Sequence, residues 1–296
     1  ENTIIFFYGD HGGPLPREKR LIYDSGLNTP MIIRFPKKIQ AGKKDNQLIS
    51  FVDFAPTLLS LIGEAPTSYM QGQAFLGEYK AKERNYIHAA ADRFDAETDV
   101  IRAVRDKQFK YIRNYRPEQG YYLPIEYRER IPSMQELLRI RDEGQLNEAQ
   151  KQWFRESKPR EELFDCAMDP FELNNLADKP EYQDKLKELR AEMDKWLQNI
   201  GDNPNLPEAE LIKKLWNDND TQPVTSEPII KNDNGKVTIS CETEGASIGF
   251  KVIKSGEKAS KSWELYKNAI ELPIGAKLLV QAHRIGFTPS KTIQIQ

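Results

Sequence analysis

An apolar segment opens the chain and ends abruptly in a glycine, an acid and an imidazole. Residues 3–8, TIIFFY, are β-branched and aromatic without alternation. This pattern is typical of a strand covered on both faces, as in a parallel sheet between helices. The loop that follows contains Gly9, Asp10, His11, Gly12 and Gly13 and then the basic residues Arg17, Lys19 and Arg20. The sequence therefore predicts a cluster of functional groups where a buried strand ends.

The next segments predict the rest of an α/β layer. Met31–Phe35 is a second apolar strand that Pro36 stops. The segment SFVDFAPTLLSLIG predicts a helix whose first turn Asp53 caps and which ends at Gly63. Strand, long loop, strand and helix form only a small part of such a layer. Because the chain also opens on a strand without a Met, we expect it to be a fragment of a longer protein.

The pattern changes after residue 84 to antiparallel strands and helices. Strands are predicted near 100–105 and 108–115 about a tight turn, with Arg102, Lys110 and Arg113 at their solvated positions. Residues 134–156 and 180–200 predict helices, the second with an apolar stripe on a charged background. Between them, ELFDCAMDP predicts a short strand that ends in a turn.

The last third of the chain predicts a linker and a small all-β unit. Residues 202–222 are rich in Asn, Asp, Pro and Glu, with one short helical piece. Residues 223–296 contain short alternating strands separated by turns, as in a β-sandwich. Trp263 and Tyr266 lie within it and are interpreted as core residues, with stacking on a sugar ring as the alternative.

Composition excludes several classes of function. The chain is 39% hydrophobic and 30% charged, with a formal net charge of -2, so its charge does not favour binding of nucleic acid or an anionic membrane. No apolar run approaches the ~18 residues of a membrane span. Cys166 and Cys241 are far apart in the sequence, which predicts packed thiols rather than a metal site or a disulfide framework.

Four motifs in order resemble the second half of a type I sulfatase of the alkaline phosphatase superfamily. They are YGDHGG, KRLIYDSGLNTPMIIRFP, SFVDFAPTLLSLIG and ELFDCAMDPFELNNLAD. Within that family, GGPLPREKRLIY and IRAVRDKQFKYIRNY look closest to the heparan N-sulfatase (N-sulfoglucosamine sulfohydrolase) group. The final sandwich resembles the fibronectin-like or chitobiase C-terminal-like module of bacterial glycan hydrolases.

The resemblance implies an α/β fold with a partial alkaline-phosphatase-like sheet layer over residues 1–84. An α+β antiparallel subdomain with a long helix follows over 85–201, then the linker 202–222 and the sandwich 223–296. It implies hydrolysis of sulfate esters or sulfamates of glycans, with heparan-type N-sulfoglucosamine favoured. A periplasmic or secreted location and a sulfated glycan partner are implied in the same way.

The resemblance also implies roles for single residues. Asp10 takes the place of a Ca²⁺ ligand, which suits a hard cation, and His11 takes the place of a metal or sulfate contact. Lys19 takes the place of the catalytic cation that holds the sulfate, with Arg17 and Arg20 as competitors. The region of His88, Asp92 and Arg93 helps to shape the substrate pocket, and Arg93 is a candidate substrate contact. Asp24 is interpreted as a backbone-capping side chain.

The family's nucleophile is missing from the sequence. It is a formylglycine made from Cys/Ser-x-Pro-x-Arg, and neither CAMDP nor CETEG fits that motif. We therefore expect these 296 residues alone not to hydrolyse sulfate esters. Two alternatives remain: a phosphate or phosphonate monoesterase of the same superfamily, and a non-catalytic glycan-binding fragment.

Overall fold

A computed structural model describes residues 2–296 and divides the chain into two compact units. The first extends to Asn205 and the second spans Leu206–Gln296, so the division falls inside the predicted linker. Among residues 2–296, no helix combines the length and the apolar composition that crossing a membrane requires.

The first unit begins with two strands and two helices. They are β1 (Ile5–Tyr8), α1 (Asp24–Leu27), β2 (Met31–Arg34) and α2 (Phe54–Leu61). β1 and β2 pair antiparallel, with Tyr8 opposite Met31, and no further strand of residues 2–296 joins them. Phe7 is 65% exposed and Ile32 is 63% exposed. Phe54 of α2 lies against Phe6 and Tyr8 on one face of β1. The prediction of a parallel strand buried on both faces is therefore wrong, because β1 pairs antiparallel and its other face, with Phe7, is uncovered in residues 2–296.

Asp53 belongs to a capping box with Ser50 at the 3₁₀ turn Phe51–Asp53, which leads into α2, rather than capping α2 directly. Its carboxylate accepts the backbone N–H groups of Ser50 at 2.8 Å and Gln73 at 2.9 Å. It also pairs with Arg84 at 2.5 Å, and the residue is fully buried. Asp53 thus joins the start of this helical segment to the chain that follows the helix.

An antiparallel sheet forms the centre of the first unit. Its strands are β3 (Ile87–Phe94), β4 (Glu97–Arg105), β5 (Phe109–Asn114) and β6 (Glu161–Asp165), in that spatial order. The predicted hairpin and the strand in ELFDCAMDP are both confirmed. α6 (Gln183–Ile200) packs its apolar stripe on one face of the sheet through Val104, Tyr111, Leu163, Leu186, Leu189 and Met193.

The loop that follows β1 packs against the same subdomain. Leu21, Ile22 and Tyr23 share a buried cluster with residues such as Ile112 and Phe164 of the central sheet. The predicted boundary at residue 84 therefore crosses a common core, and the two predicted segments form one unit.

Three helices lie between β5 and β6: α3 (Glu126–Glu129), α4 (Pro132–Asp142) and α5 (Glu148–Trp153). The single helix predicted over 134–156 is interrupted at Gly144, whose φ is 71°, a left-handed conformation that glycine tolerates. Asn147 then begins α5, and its side chain accepts the Gln150 N–H at 2.9 Å. A glycine and a capping residue thus divide the apolar pattern into two helices.

Two predicted solvated positions of the hairpin are buried. Arg102 is 3% exposed, and its guanidinium pairs with Asp92 at 2.5 Å and Asp202 at 2.6 Å. Lys110 is 1% exposed and pairs with Asp24 and Glu172. The prediction is wrong because carboxylates from distant segments replace water around these cations.

The second unit holds α7 (Glu208–Leu215) and two antiparallel sheets. One sheet contains β7 (Ile229–Asp233), β8 (Lys236–Ser240) and β11 (Ile270–Glu271). The other contains β9 (Ser247–Ile253), β10 (Glu264–Leu265), β12 (Lys277–His283) and β13 (Ile293–Ile295). Val237, Ile248 and Leu278 belong to one buried cluster, on which Tyr266 packs as predicted. Trp263 is 40% exposed, so its prediction as a core residue is wrong.

Candidate active site

The loop between β1 and α1 is closed on itself by backbone hydrogen bonds. The Gly12 N–H donates to the Gly26 carbonyl at 2.8 Å, and the Lys19 N–H donates to the Gly13 carbonyl at 3.2 Å. Gly12 is required because a Cβ at this position would lie 1.8 Å from the Ser25 carbonyl oxygen. The loop therefore folds back so that the backbone of Lys19 lies against Gly13, two residues after His11.

Asp10 and His11 occupy the end of β1. The Asp10 side chain is 82% exposed, and its Oδ2 lies 3.3 Å from His11 Nε2. His11 Nδ1 lies 2.6 Å from the Gly12 carbonyl oxygen. If Nδ1 carries the ring proton and donates it to that carbonyl, Nε2 of the neutral ring is unprotonated. The lone pair of Nε2 then faces a carboxylate oxygen. A proton or a metal ion between these atoms relieves that repulsion, so the pair fits a cation.

The same pair supplies only part of a metal shell. Ca²⁺ takes about 6–8 oxygen ligands, and imidazole suits it poorly. Asp10 offers the hard oxygen donor, and no Lys or Arg of residues 2–296 pairs with its carboxylate. The donor set therefore fits a divalent cation whose remaining ligands come from other groups.

Arg17 is bonded into the protein rather than open to a ligand. Its Nη1 and Nη2 donate to the carbonyl oxygens of Phe171 and Glu172 at 2.5 and 2.7 Å. Its guanidinium carbon lies 3.8 Å from the centre of the Tyr23 ring. Its φ of 63° is left-handed, which costs a non-glycine residue about 1–2 kcal/mol. These contacts hold the loop in that conformation and engage the donors of Arg17.

Arg20 is also engaged, at the other side of the loop. Its Nε donates to Tyr127 Oη at 3.0 Å, and its Nη2 donates to Asp95 Oδ1 at 2.8 Å. Its φ of 74° is left-handed as well. Non-glycine residues persist in this region when surrounding contacts fix them, and such residues often mark functional loops.

Lys19 differs from both arginines. Within residues 2–296, its ammonium has neither a carboxylate partner nor a hydrogen-bond acceptor. The residue is half-buried, and its Nζ lies 5.7 Å from the centre of the Tyr127 ring. Of the three cations in the loop, Lys19 is thus the one whose donors are open to an anion.

Arg93 belongs to the same cluster through Asp95. Arg93 Nε donates to the Asp95 carbonyl at 3.1 Å, while the Asp95 carboxylate holds Arg20. Arg20 and Lys19 both approach the ring of Tyr127. The structure therefore gathers the predicted residues Lys19, Arg20 and Arg93 around one acid and one exposed aromatic ring.

His88 and Asp92 are turned to other partners. His88 Nε2 lies 3.2 Å from Glu192 Oε1, and its ring stacks on Trp196 with the ring centres 4.7 Å apart. Burial lowers the pKa of His88 below its ordinary value. Asp92 accepts from the buried Arg102. Both residues therefore stabilise the subdomain.

Asp24 belongs to a buried ionic network that anchors the loop. Its carboxylate pairs with Lys110 at 2.6 Å and Arg105 at 2.9 Å, so its interpretation as a capping side chain is wrong. Burial opposes its ionisation, but Lys110 and Arg105 outweigh burial and lower the pKa of Asp24. Glu172 Oε2 accepts the Asp24 N–H at 2.5 Å. Glu172 thus caps the first turn of α1 from a distant segment.

Three potential ligands gather in this network, but a cation already lies among them. Ligand atoms of Asp24, Cys166 and Glu172 lie within 4.8 Å of one another. The Lys110 ammonium lies 2.7 Å from Glu172 Oε1 and 3.0 Å from the Ile22 carbonyl. Burial raises the pKa of the Cys166 thiol to about 12, so it does not supply a thiolate. The cluster is an ion-pair anchor rather than a metal centre.

A cavity of about 100 Å³ lies next to Arg17 and Tyr23. Glu162 lines it, and its carboxylate accepts from Tyr23 Oη at 3.2 Å and Asn114 Nδ2 at 2.8 Å. Burial raises the pKa of Glu162, and the indole N–H of Trp153 at this cavity has no hydrogen-bond partner among residues 2–296. The volume suits a few water molecules of about 30 Å³ each, not a sugar ring.

Sequence reasoning missed Asp95, Tyr127, Lys110 and Glu172. Asp95 and Tyr127 carry no local signal, because their contacts with Arg20 join residues 75 and 107 positions apart. Glu172 stands in the DPFEL segment that contributed to the resemblance. The acid of that segment was the sequence signal that could have indicated Glu172 as a residue that holds the loop after β1.

Comparisons with known proteins identify relatives of the chain. The family model described as N-sulphoglucosamine sulphohydrolase, C-terminal, matches residues 9–157, which include the loop and the strands β3–β5. An ulvan-active sulfatase of Formosa agariphila is 73% identical over 295 residues, covering 100% of this chain and 50% of that protein. Human N-sulphoglucosamine sulphohydrolase is 24% identical over 221 residues, covering 66% of this chain and 41% of that protein.

A solved structure described as a complex with its substrate D-glucosamine-2-N,6-O-disulfate is also similar. It has a TM-score of 0.47 and 25% identity, covering 68% of this chain and 35% of that chain. This chain spans about half the length, or less, of the curated relatives above. The family model covers half of the chain and contains the loop with Asp10, His11 and Lys19. The chain therefore belongs to the sulfatase family whose C-terminal part the N-sulphoglucosamine sulphohydrolase model describes.

Proposed function

We propose that the chain is the C-terminal part of a sulfatase that releases sulfate from sulfated glycans. In this proposal Lys19 holds a sulfate oxygen, and Asp10 and His11 contribute to a Ca²⁺ site. The observation that supports it best is the contrast among the loop cations: Arg17 and Arg20 are bonded to the protein, whereas the Lys19 ammonium has no acceptor in residues 2–296.

The charges of the reaction explain why such a cation is needed. Cleavage of a sulfate ester or sulfamate places negative charge on the non-bridging oxygens and on the leaving group. A fixed cation beside those oxygens stabilises the transition state more than it stabilises the free substrate. The backbone of Lys19 is held by a hydrogen bond to Gly13. Arg20 adds positive charge to the loop, and its guanidinium is held in place by Asp95 and Tyr127.

The acid and the imidazole are suited to a divalent cation. A bound Ca²⁺ would polarise a sulfate oxygen as a Lewis acid. Asp10 would provide a charged oxygen ligand, and His11 would contact either the metal or the sulfate. In this proposal the metal and the Lys19 ammonium act on the same anion.

We further propose that the nucleophile, a formylglycine, and the remaining metal ligands lie outside these 296 residues. No Cys/Ser-x-Pro-x-Arg motif occurs in the sequence. These residues alone should therefore release no sulfate. Action on a polymeric glycan outside the cell would place the enzyme in the periplasm or outside the cell.

Two substrates follow from two different observations. The relative with 73% identity is named an ulvan-active sulfatase, which favours a sulfated sugar of ulvan. The family model and the human relative are named for N-sulphoglucosamine, which makes the N-sulfated glucosamine of heparan the second candidate.

The test is release of sulfate by the full-length enzyme, measured by ion chromatography. Ulvan oligosaccharides, N-sulfoglucosamine, 6-O-sulfated N-acetylglucosamine and a chromogenic aryl phosphate are compared by kcat/KM. We expect the highest value on a sulfated sugar and little turnover of the phosphate. Preferred hydrolysis of the phosphate would support the monoesterase alternative, and no turnover of any substrate would support a non-catalytic role.

A further inference from the structure

The outer face of the four-stranded sheet in the second unit carries an exposed aromatic ring. Ile248 and Phe250 of β9 belong to the core of this unit, so Gly249 and Lys251 between them face outward. A Cβ at Gly249 would lie 3.4 Å from Cβ and Cε3 of Trp263. The Trp263 side chain therefore lies on the outer face against a glycine, and it is 40% exposed.

A fixed cation lies beside this ring. Lys251 Nζ is 4.6 Å from the centre of the Trp263 ring. The ammonium donates to the carbonyl oxygens of Ser260 and Lys261 at 2.7 and 3.2 Å. An ammonium with three donors thus keeps one donor available, held at the rim of an apolar surface.

The chain around the ring is locally basic. Residues 247–267 contain five lysines and two acids, although the whole chain has a net charge of -2. Among the described residues, Lys254, Lys258 and Lys261 are exposed and have no carboxylate partner. A polyanion therefore meets little competition from the protein's own acids on this segment.

We propose that this face is a binding site for sulfated glycan, separate from the loop of the first unit. The apolar C–H face of a sugar ring would lie on Trp263, and its sulfate groups would contact Lys251 and the lysines of 254–261. An aromatic platform with a cationic rim fits such a ligand, because it offers one apolar face and one charged edge. The choice of a sulfated glycan rests on the proposed function, whereas the presence of a ring and a cationic rim does not.

Binding by the 296-residue chain tests the proposal without any turnover. Size-defined ulvan oligosaccharides and the same oligosaccharides after chemical desulfation are titrated by isothermal calorimetry. All variants carry Lys19→Ala, so that the proposed sulfate contact of the first unit is removed. We expect Trp263→Ala to weaken binding of the sulfated form about tenfold or more, and Trp263→Tyr to retain affinity within about threefold.

A matched pair of charge variants tests the rim. Lys258→Gln with Lys261→Gln should weaken binding about fivefold and reduce its dependence on salt. Lys231→Gln with Lys236→Gln removes the same charge from the other sheet and should leave the affinity unchanged. If Trp263→Ala does not fold, these lysine variants still test whether this face binds the sulfated glycan.

Several results would overturn the proposal. Equal affinity for desulfated oligosaccharide would remove the role of sulfate, and an unchanged affinity of folded Trp263→Ala would remove the platform. Equal losses from both lysine pairs, or equally tight binding of dextran sulfate, would indicate nonspecific attraction. Self-association through this face, seen by light scattering and abolished by Trp263→Ala, would assign the face to a second copy. If the chain binds while the full-length enzyme releases no sulfate, the proposed function fails and this site stands.

Discussion

The ammonium of Lys110 lies 2.7 Å from the carboxylate of Glu172, and both side chains are 1% exposed. Glu172 in turn accepts the Asp24 N–H, and its carbonyl accepts from Arg17. Glu172 therefore holds Arg17 and Asp24, which lie on either side of Lys19 in the sequence. The position of the proposed sulfate contact depends on these buried groups.

Lys110→Met should strongly destabilise the protein. The substitution leaves two carboxylates near each other without their common cation, and breaking a buried ion pair costs about 3–5 kcal/mol. Lys151→Met is the matched control, because Lys151 pairs with Glu148 at the same 2.7 Å but on an exposed surface. An exposed pair of this kind contributes up to about 1 kcal/mol. Urea denaturation gives the free energy of unfolding of the two variants. A similar loss in both would show that the buried ion pairs of Lys110 do not stabilise the fold more than an exposed pair does.

Gly12→Ala should distort the loop, whereas Gly9→Ala should be tolerated. A Cβ at position 12 meets the backbone oxygen of Ser25 at 1.8 Å, but a Cβ at position 9 meets Thr29 at an ordinary 3.4 Å. Overpacking of this kind costs about 1–3 kcal/mol. Thermal unfolding measures the difference, and equal stability of the two variants would mean that the close approach of Gly12 to Ser25 is absent in solution.

Glu162→Gln should change how stability depends on pH. Because burial raises the folded-state pKa of Glu162 above the ordinary 4.5, the folded protein keeps a proton that the unfolded chain releases. The free energy of unfolding therefore falls as pH rises from about 4.5 to the folded-state pKa, by up to about 1.4 kcal/mol per pH unit. The glutamine variant lacks this fall, so its advantage over the unmodified protein should grow through that window and then level off.

The groups that face Glu162 are Tyr23, Tyr121, Asn114 and Arg17, and none of them is changed. Urea denaturation at intervals from pH 4.5 to pH 8 gives the difference curve. Glu118→Gln, which removes a carboxylate at an exposed position, is the control. A flat curve for Glu162→Gln would show that this carboxyl titrates as an ordinary one.

Asp10→Asn should weaken the binding of Ca²⁺ to the full-length enzyme. It removes the charged oxygen ligand but keeps the size of the side chain, whereas Lys19→Ala removes no ligand. Saturating Ca²⁺ should stabilise the unmodified enzyme by about 2.7 kcal/mol at 100 times its Kd. In thermal shift titrations, Asp10→Asn should need more Ca²⁺ for the same shift. A titration unchanged by Asp10→Asn would remove the metal assignment.

The sequence predicts the hairpin of β4 and β5 and the strand β6, because apolar alternation and turn residues are local signals. It does not predict β3 or the backbone hydrogen bonds that close the loop after β1. It fails for Lys110 and Arg102, since alternation indicates which face a side chain takes and not which distant acid meets it there. It fails for β1 because a continuous apolar run does not distinguish a parallel from an antiparallel neighbour. Trp263 appears as a core residue for a similar reason: alternation alone does not reveal that its side chain lies against Gly249 on the outer face of the sheet.

The most direct test of the account compares the three loop cations in the full-length enzyme. Initial rates of sulfate release give kcat/KM on the best sulfated substrate, and thermal unfolding reports stability for each variant. We predict that Lys19→Ala lowers kcat/KM by a factor on the order of 10² and leaves stability and Ca²⁺ affinity nearly unchanged. Lys19→Arg should recover only part of that loss, because a guanidinium does not place its donors where an ammonium does. Arg17→Ala should lower stability, since it removes two hydrogen bonds to the carbonyl groups of Phe171 and Glu172. A stable Arg17→Ala or Arg20→Ala enzyme that is inactive, beside a fully active Lys19→Ala enzyme, would contradict the account.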